Sequence, residues 1–326
     1  MIQTEAKTMV VGIDISVEET TCAVVDIRGN IICIQKFASE DYPNVNQYVT
    51  KLCEVITQVI DASCGIEKVK AVGISVASGN LTTGCIENAP NLPWKGVIPL
   101  AAMLRDRLGL AVALGNDCHA AVLGEHAFGS GHGMKNVCTL SIGYGLGCGM
   151  IIDGRLYQGN RGFAGELGHT CVVENGRHCN CGRDGCLERY VSGGGIVMTA
   201  KELMDESDKP SLMRGYTPLT AKYIVECCEK GDELAIEVYN RTGHILGKAL
   251  SVFASIMDPE AIIFTGGISK AGKWLLEPTI RSFDEHVFPN IRGHVSLIMS
   301  TIDLRERDIL GASVLAWSAK EYSLFK

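Results

Sequence analysis

The chain has no apolar run long enough to cross a bilayer. Its opening, "MIQTEAKTMVVG", has neither the charged start, the long apolar core nor the cleavage site of a signal peptide. A cytoplasmic protein is therefore expected. There is no basic stripe with interleaved aromatics, and the net charge of −7 repels phosphate backbones, so neither nucleic acid nor a membrane is expected as a partner. No excess of Pro, Ser or Gln would keep the chain disordered, and no low-complexity linker separates independent modules. At 326 residues the chain exceeds what one core usually holds, which predicts two lobes joined by short connections. Cysteine is plentiful, at 14 residues, but cytosolic thiols stay reduced and predict no disulfide framework. Cys22, Cys85 and Cys138 lie singly in apolar runs and read as small core hydrophobes.

The segment "HTCVVENGRHCNCGRDGCLE", from His169 to Glu188, is different. Cys179, Cys181 and Cys186 crowd a polar, glycine-rich stretch in which Gly182 and Gly185 allow the backbone to fold tightly. With the imidazole of His169 they make a Cys3His set, the donor chemistry of a closed, tetrahedral, structural Zn2+ site. The alternative is a loop that is merely rich in cysteine. Cys-x-Cys-x4-Cys is not the common zinc-finger spacing.

Patterning predicts an α/β fold with a repeated strand unit. "MVVGIDI", "TCAVVDI" and "NIICIQKF" read as three strands with a turn at Arg28-Gly29. The same grammar returns in "VCTLSIG", "GCGMIID" and "GRLYQG", more than a hundred residues on, and suggests a duplicated architecture. Between and after them, helical spacing runs through "VNQYVTKLCEVITQVIDAS", "LAAMLRDRLG", "CHAAVLGEHAFG" and "DELAIEVYNRTGHILGKALSVFASIMD", the last stopped by Pro259. "VKAVGISVA", "LAVALGND" and "AIIFTGG" read as further strands, and "RERDILGASVLAWSAKEY" as a closing helix.

"LGNDCHAAVLGE", "GFAGELGH", "CNCGRDGCLE" and "IIFTGG" together resemble the ROK family of sugar kinases and regulators, over nearly the whole chain. The resemblance implies an actin-like, ribonuclease-H-like ATPase fold with two lobes and a cleft. The expected division is a small lobe over residues 1–115, to which a closing helix near 305–326 returns, and a large lobe over 116–304 carrying the zinc loop. The family's repressors carry an N-terminal helix-turn-helix. Only about nine residues precede "VVGIDI", so the kinase branch is expected. The resemblance also implies a homodimer acting on a sugar and ATP, with Mg2+ accompanying the ATP, and the 6-hydroxyl of glucose or a related hexose as acceptor.

The roles implied by the resemblance have physical sense. A sugar hydroxyl is a poor nucleophile, and a carboxylate beside it can accept its proton. Asp117 matches the family's catalytic base and Asn116 its sugar-binding neighbour. On local sequence alone, Asn-Asp after an apolar strand reads as a helix cap. Asn91, Asn116, Asp117, Glu166, His169 and Glu188 are the implied sugar ligands, and His169, Cys179, Cys181 and Cys186 match the family's metal ligands. One nitrogen of His169 would bind zinc while the other faces the sugar. Taken singly, Glu166 and Glu188 read as solvated charges. On the nucleotide side, Gly143 and Gly145 of "GYGLGCG" offer amides to phosphate, Gly266 and Gly267 match an adenosine-contacting turn, and Asp14 matches the acid that orients Mg2+.

Three departures from the family pattern stand out. Ser16, Val17, Glu18 and Glu19 replace the usual Gly-Gly-Thr-Lys, Tyr144 replaces a small threonine, and Ala77-Ser78-Gly79 replaces Pro-Gly-Pro. Glycine is lost and two acids appear near where phosphates would sit. Weak ATP binding in the absence of sugar is expected. A sugar-binding sensor with a degenerate phosphate loop is the alternative to a kinase.

Overall fold

The computed structural model describes residues 6–319 of the chain, in two compact units. The first unit is built on a five-stranded sheet. Strand β1 (Met9–Ile15) pairs antiparallel with β2 (Glu19–Asp26), which pairs antiparallel with β3 (Ile31–Ala38). On the other side of β1 lie β4 (Val69–Val76) and β8 (Ala111–Gly115), both parallel. Helix α1 (Val45–Asp61) starts at Asn44, whose side chain accepts the amides of Asn46 and Gln47. It buries Val49, Leu52, Val55, Ile56 and Val59. Helix α2 (Leu100–Leu108) ends at Gly109 in the left-handed region. A small sheet of β5 (Gly79–Asn80), β6 (Cys85–Glu87) and β7 (Val97–Ile98) was not legible in the sequence.

Helices α3 (Asp117–Phe128) and α9 (Leu304–Ser318) complete this unit. They cross at Ala120 and Gly311, where a Cβ on Gly311 would overlap the Ala120 carbonyl. Helix α9 also lies on the sheet at Gly12 and Gly73. This packing moves the boundary. The first unit reaches Gly133 rather than stopping at residue 115, and it also takes Gln158–Ala164 and the chain from Ile302. The end of the expected closing helix, residues 320–326, lies outside the described residues.

The second unit repeats the plan. Its sheet has β11 (Arg155–Leu156), β10 (Leu146–Ile152) and β9 (Val137–Ile142) antiparallel in sequence, then β12 (Ala261–Thr265) and β13 (Ser296–Met299) parallel to β9. The orders β3-β2-β1-β4-β8 and β11-β10-β9-β12-β13 are the same order of third, second, first, fourth and fifth strand. This duplicated sheet is the actin-like, ribonuclease-H-like ATPase fold. Helices α4 (Glu188–Val191), α5 (Gly193–Asp205), α6 (Ala221–Glu229), α7 (Glu233–Met257) and α8 (Lys273–His286) belong to the same unit and pack on one another. Helix α7 begins at the Asp232 cap and ends where Asp258 turns left-handed before Pro259. Among the described residues no helix is long and apolar enough to cross a membrane.

Candidate functional site

In the first unit, strand β8 delivers Asn116 and Asp117 to the start of α3. Asn116 is the helix cap, its Oδ1 accepting the Cys118 amide at 2.9 Å. Asp117 Oδ1 accepts the same amide at 2.9 Å. The capping reading of Asn116 thus holds, and it leaves the amide NH2 for a ligand. Burial raises the Asp117 carboxyl above the usual range, the nearby Asp308 carboxylate adds to this, and the Cys118 amide and Arg307 oppose it. Asp14, at the end of β1, is pushed up to about 8, chiefly by burial and then by the Asp308 carboxylate, with Asp117 adding to it. Asp14 is partly open to solvent but enclosed by protein on most sides.

Arg307 and Asp308 were not singled out in the sequence. They form a two-point ion pair, Nε to Oδ1 at 2.7 Å and Nη2 to Oδ2 at 2.8 Å. A carboxylate-crowded corner with one guanidinium has the oxygen donors that suit a hard divalent cation. Asn91 lies exposed on an irregular loop anchored by buried Leu92 and Trp94. The Trp94 indole donates to the Tyr42 carbonyl at 3.2 Å.

The pH dependence of stability follows from these carboxylates. An acid whose folded pKa is raised binds its proton more tightly folded than unfolded, so stability is full below the unfolded pKa and is lost as pH rises through the folded one. For Asp14 the window runs from its usual value of 3.8 to about 8. Metal-free protein should therefore lose thermal stability across this range. Asp14→Asn should flatten the loss in melts taken from pH 5 to pH 8.5, and an unchanged slope would exclude Asp14 as its source.

The Ser16–Glu19 turn is closed without glycine. Ser16 Oγ donates to the Glu19 carbonyl at 2.8 Å and accepts the Glu19 amide at 3.1 Å. The Glu19 carboxylate is held by Lys36 on β3 at 2.6 Å. Two acids in sequence thus leave one exposed, unpaired carboxylate, that of Glu18, among the described residues.

In the second unit, the donor atoms of His169, Cys179, Cys181 and Cys186 all lie within 4.8 Å of one another. His169 Nδ1 is 3.7 Å from Cys179 Sγ, and the sulfurs of Cys181 and Cys186 are 3.6 Å apart. A zinc tetrahedron with Zn–S bonds of about 2.3 Å has edges of about 3.7 Å, so the four residues fit the ion. The Arg183 amide pulls the Cys181 thiol down to about 6, whereas burial and the neighbouring sulfurs push Cys186 up to about 12. A divalent cation at the centre would lower both. The ring of His169 turns its other nitrogen, Nε2, toward Glu166, 3.9 Å from Oε2. Arg177, also missed in the sequence, ties the loop to α4 and α5, donating to the Arg189 carbonyl at 2.7 Å, the Gly195 carbonyl at 3.0 Å and Thr199 Oγ1 at 2.9 Å.

The glycine turns of this unit converge. Gly143 N–H donates to the Gly145 carbonyl, and Gly193 N–H at the start of α5 donates to the Gly143 carbonyl, both at 2.9 Å. Gly266, at φ 91°, sits so close to Ile142 that a Cβ would be 2.7 Å from its nitrogen. Gly267 opens the next turn with no atom within 4 Å of where a Cβ would be. Among the described residues the amides of Tyr144 and Gly145 meet no acceptor, and Tyr144 is 90% exposed. The three consecutive glycines after Ser192 were a signal for this junction that the sequence reading passed over.

The ROK family profile matches residues 10–319. A glucokinase of Streptomyces coelicolor is 32% identical over 282 residues, covering 84% of this chain and 87% of its own length. The structure of a ROK family glucokinase from Streptomyces griseus, in complex with glucose and AMPPNP, superposes with a TM-score of 0.78 at 30% identity, over 95% of this chain and 100% of the other. The DNA-binding transcriptional dual regulator NagC of Escherichia coli is 27% identical over 94% of this chain and 74% of its own. The duplicated sheet, the Cys3His loop and the profile match over nearly the whole chain agree: the chain belongs to the ROK family.

Proposed function

We propose that this carbohydrate kinase transfers the γ-phosphoryl group of ATP to a hexose hydroxyl, with the 6-hydroxyl of glucose or a related hexose as acceptor. The observation that carries the reading is Asp117, a carboxylate fixed at the first turn of α3 and held above its usual range by its surroundings. In its ionised form it accepts the hydroxyl proton as the oxygen–phosphorus bond forms and the bond to the β-phosphate oxygen breaks, releasing ADP. Asn91 and Asn116 are proposed to hydrogen-bond the sugar, and so are Glu166, His169 and Glu188. His169, Cys179, Cys181 and Cys186 hold Zn2+, which braces the loop bearing these ligands. Mg2+ offsets phosphate charge, with Asp14 orienting it or its waters. Gly143, Gly145, Gly266 and Gly267 line the nucleotide side.

The Ser16–Glu19 turn supports a second reading, a sugar-binding sensor that no longer uses ATP. The pairing of Glu19 with Lys36 weighs against it, because the turn then carries one net negative charge instead of two. An exposed charge of this kind costs about 0.5–1 kcal/mol, or about 2–5-fold in affinity. Glu18→Gln should tighten ATP–Mg binding by about that factor in calorimetric titration. No change would mean that the turn is remote from the phosphates. Titration of the unaltered protein separates the readings: the kinase should bind ATP–Mg weakly alone and more tightly once saturated with its sugar. Sugar binding with no ATP binding in either state would favour the sensor.

A further inference from the structure

We propose that Glu188 is a positioning residue for the Gly143–Leu146 turn, so that the metal-holding loop sets the geometry of the nucleotide side as well as the sugar side; the functional part of this rests on the kinase reading above. Glu188 opens α4 two residues after Cys186. Its Oε2 accepts the Leu146 amide at 3.0 Å. The same oxygen fills the space beside Gly145, where a Cβ would lie 2.7 Å away, so the carboxylate can approach only because residue 145 has no side chain. An ionised acceptor makes this a stronger bond than a neutral pair would.

The turn is therefore tied at three points. Gly143 N–H closes it on the Gly145 carbonyl, Gly193 holds the Gly143 carbonyl, and Glu188 holds the Leu146 amide. Two of these ties come from the short stretch that directly follows the metal loop. That stretch is itself anchored on the loop: the Leu187 amide donates to the Thr170 carbonyl at 2.9 Å, the Arg189 amide to the Cys186 carbonyl at 3.0 Å, and Cys171 and Cys186 form a β-bridge. Loss of the ion would free Cys186 and, with it, the start of α4. Only one carboxylate oxygen of Glu188 is committed to the turn, which leaves Oε1 for a sugar hydroxyl. A sugar held there restricts the rotamer that also holds Leu146. Sugar occupancy and order of the turn thus share one side chain, which is a physical route to tighter nucleotide binding when sugar is present.

Hydrogen exchange on the full-length, metal-loaded protein tests the tie directly and needs no catalysis. In Glu188→Ala the Gly143 and Leu146 amides, the two of the turn that have acceptors, should exchange about tenfold faster or more, while the β9 amides and the rest of β10 keep their protection. Glu188→Gln keeps an acceptor oxygen and should retain most of the protection. Chelating the metal from the unaltered protein should raise exchange in the same segment. Should Glu188→Ala fold poorly, Glu188→Asp withdraws the oxygen by one methylene and should give the same local effect. Unchanged exchange at Gly143 and Leu146 in the Ala or Asp variant, exchange in Glu188→Gln as fast as in the Ala variant, or exchange at these two amides indifferent to chelation would each overturn the proposal. Titration with AMPPNP–Mg adds the functional arm, with affinity lost in Glu188→Ala and kept in Glu188→Gln. An unaltered protein that binds no nucleotide would defeat the kinase reading, and the exchange result would still judge the tie.

Discussion

Replacing Asp117 with asparagine should lower kcat by about 10²-fold or more, with sugar affinity nearly unchanged, because general-base contributions are of this size. Asparagine keeps the shape and can still accept the Cys118 amide, so the cap geometry of α3 survives. What it removes is the proposed proton acceptor. The pH profile gives a second handle. The base must be ionised to act, and its surroundings raise its pKa, so kcat/KM should climb with pH through a midpoint above the ordinary carboxylate range. Steady-state kinetics over pH 5 to 8 would read both effects. A variant with near-normal kcat would assign the proton transfer to another group.

Cys181→Ala should be the more disruptive change. Cys181 is the most exposed of the three ligand cysteines, and the Arg183 amide pulls its thiol down to about 6, which suits it to be a thiolate ligand at neutral pH. Removing it leaves three donors where a closed structural site needs four. Metal analysis should fall from about one zinc per chain to substoichiometric levels, and sugar affinity should fall by about 10–100-fold, the range seen when the support of a metal-ligand set is lost. Both losses have one cause: the ring of His169 faces Cys179 with one nitrogen and Glu166 with the other. Full sugar affinity in a metal-free variant would separate the metal from the sugar ligands and end the bracing account.

What was legible in the sequence was local. The β1–β2–β3 meander was marked by short apolar runs and by the turn at Arg28-Gly29, and the Cys3His set by three cysteines crowding a polar, glycine-rich stretch. Asn116 carried two readings at once, and the structure bears out the cap without removing the amide from ligand reach. What was hidden depends on distant contacts. Asp308 acquires meaning only because α9 returns to pack on α3 and β1, nearly two hundred residues from Asp117 in the chain. The same contact moved the expected boundary from residue 115 to Gly133. Glu19 read as a repulsive charge because Lys36 lies across a strand pair, invisible to any window along the chain. Strand β13 is short and only half-buried, so it lacked the apolar run that marked β12.

The central claim is phosphoryl transfer to a hexose, and a coupled ADP-release assay with ATP–Mg across a sugar panel tests it most directly. The account predicts release that depends on a hexose, disappears in Asp117→Asn, and is strongest with glucose or a close relative of it. Sugar binding by calorimetry with no hexose-dependent ADP release from any member of the panel would contradict it.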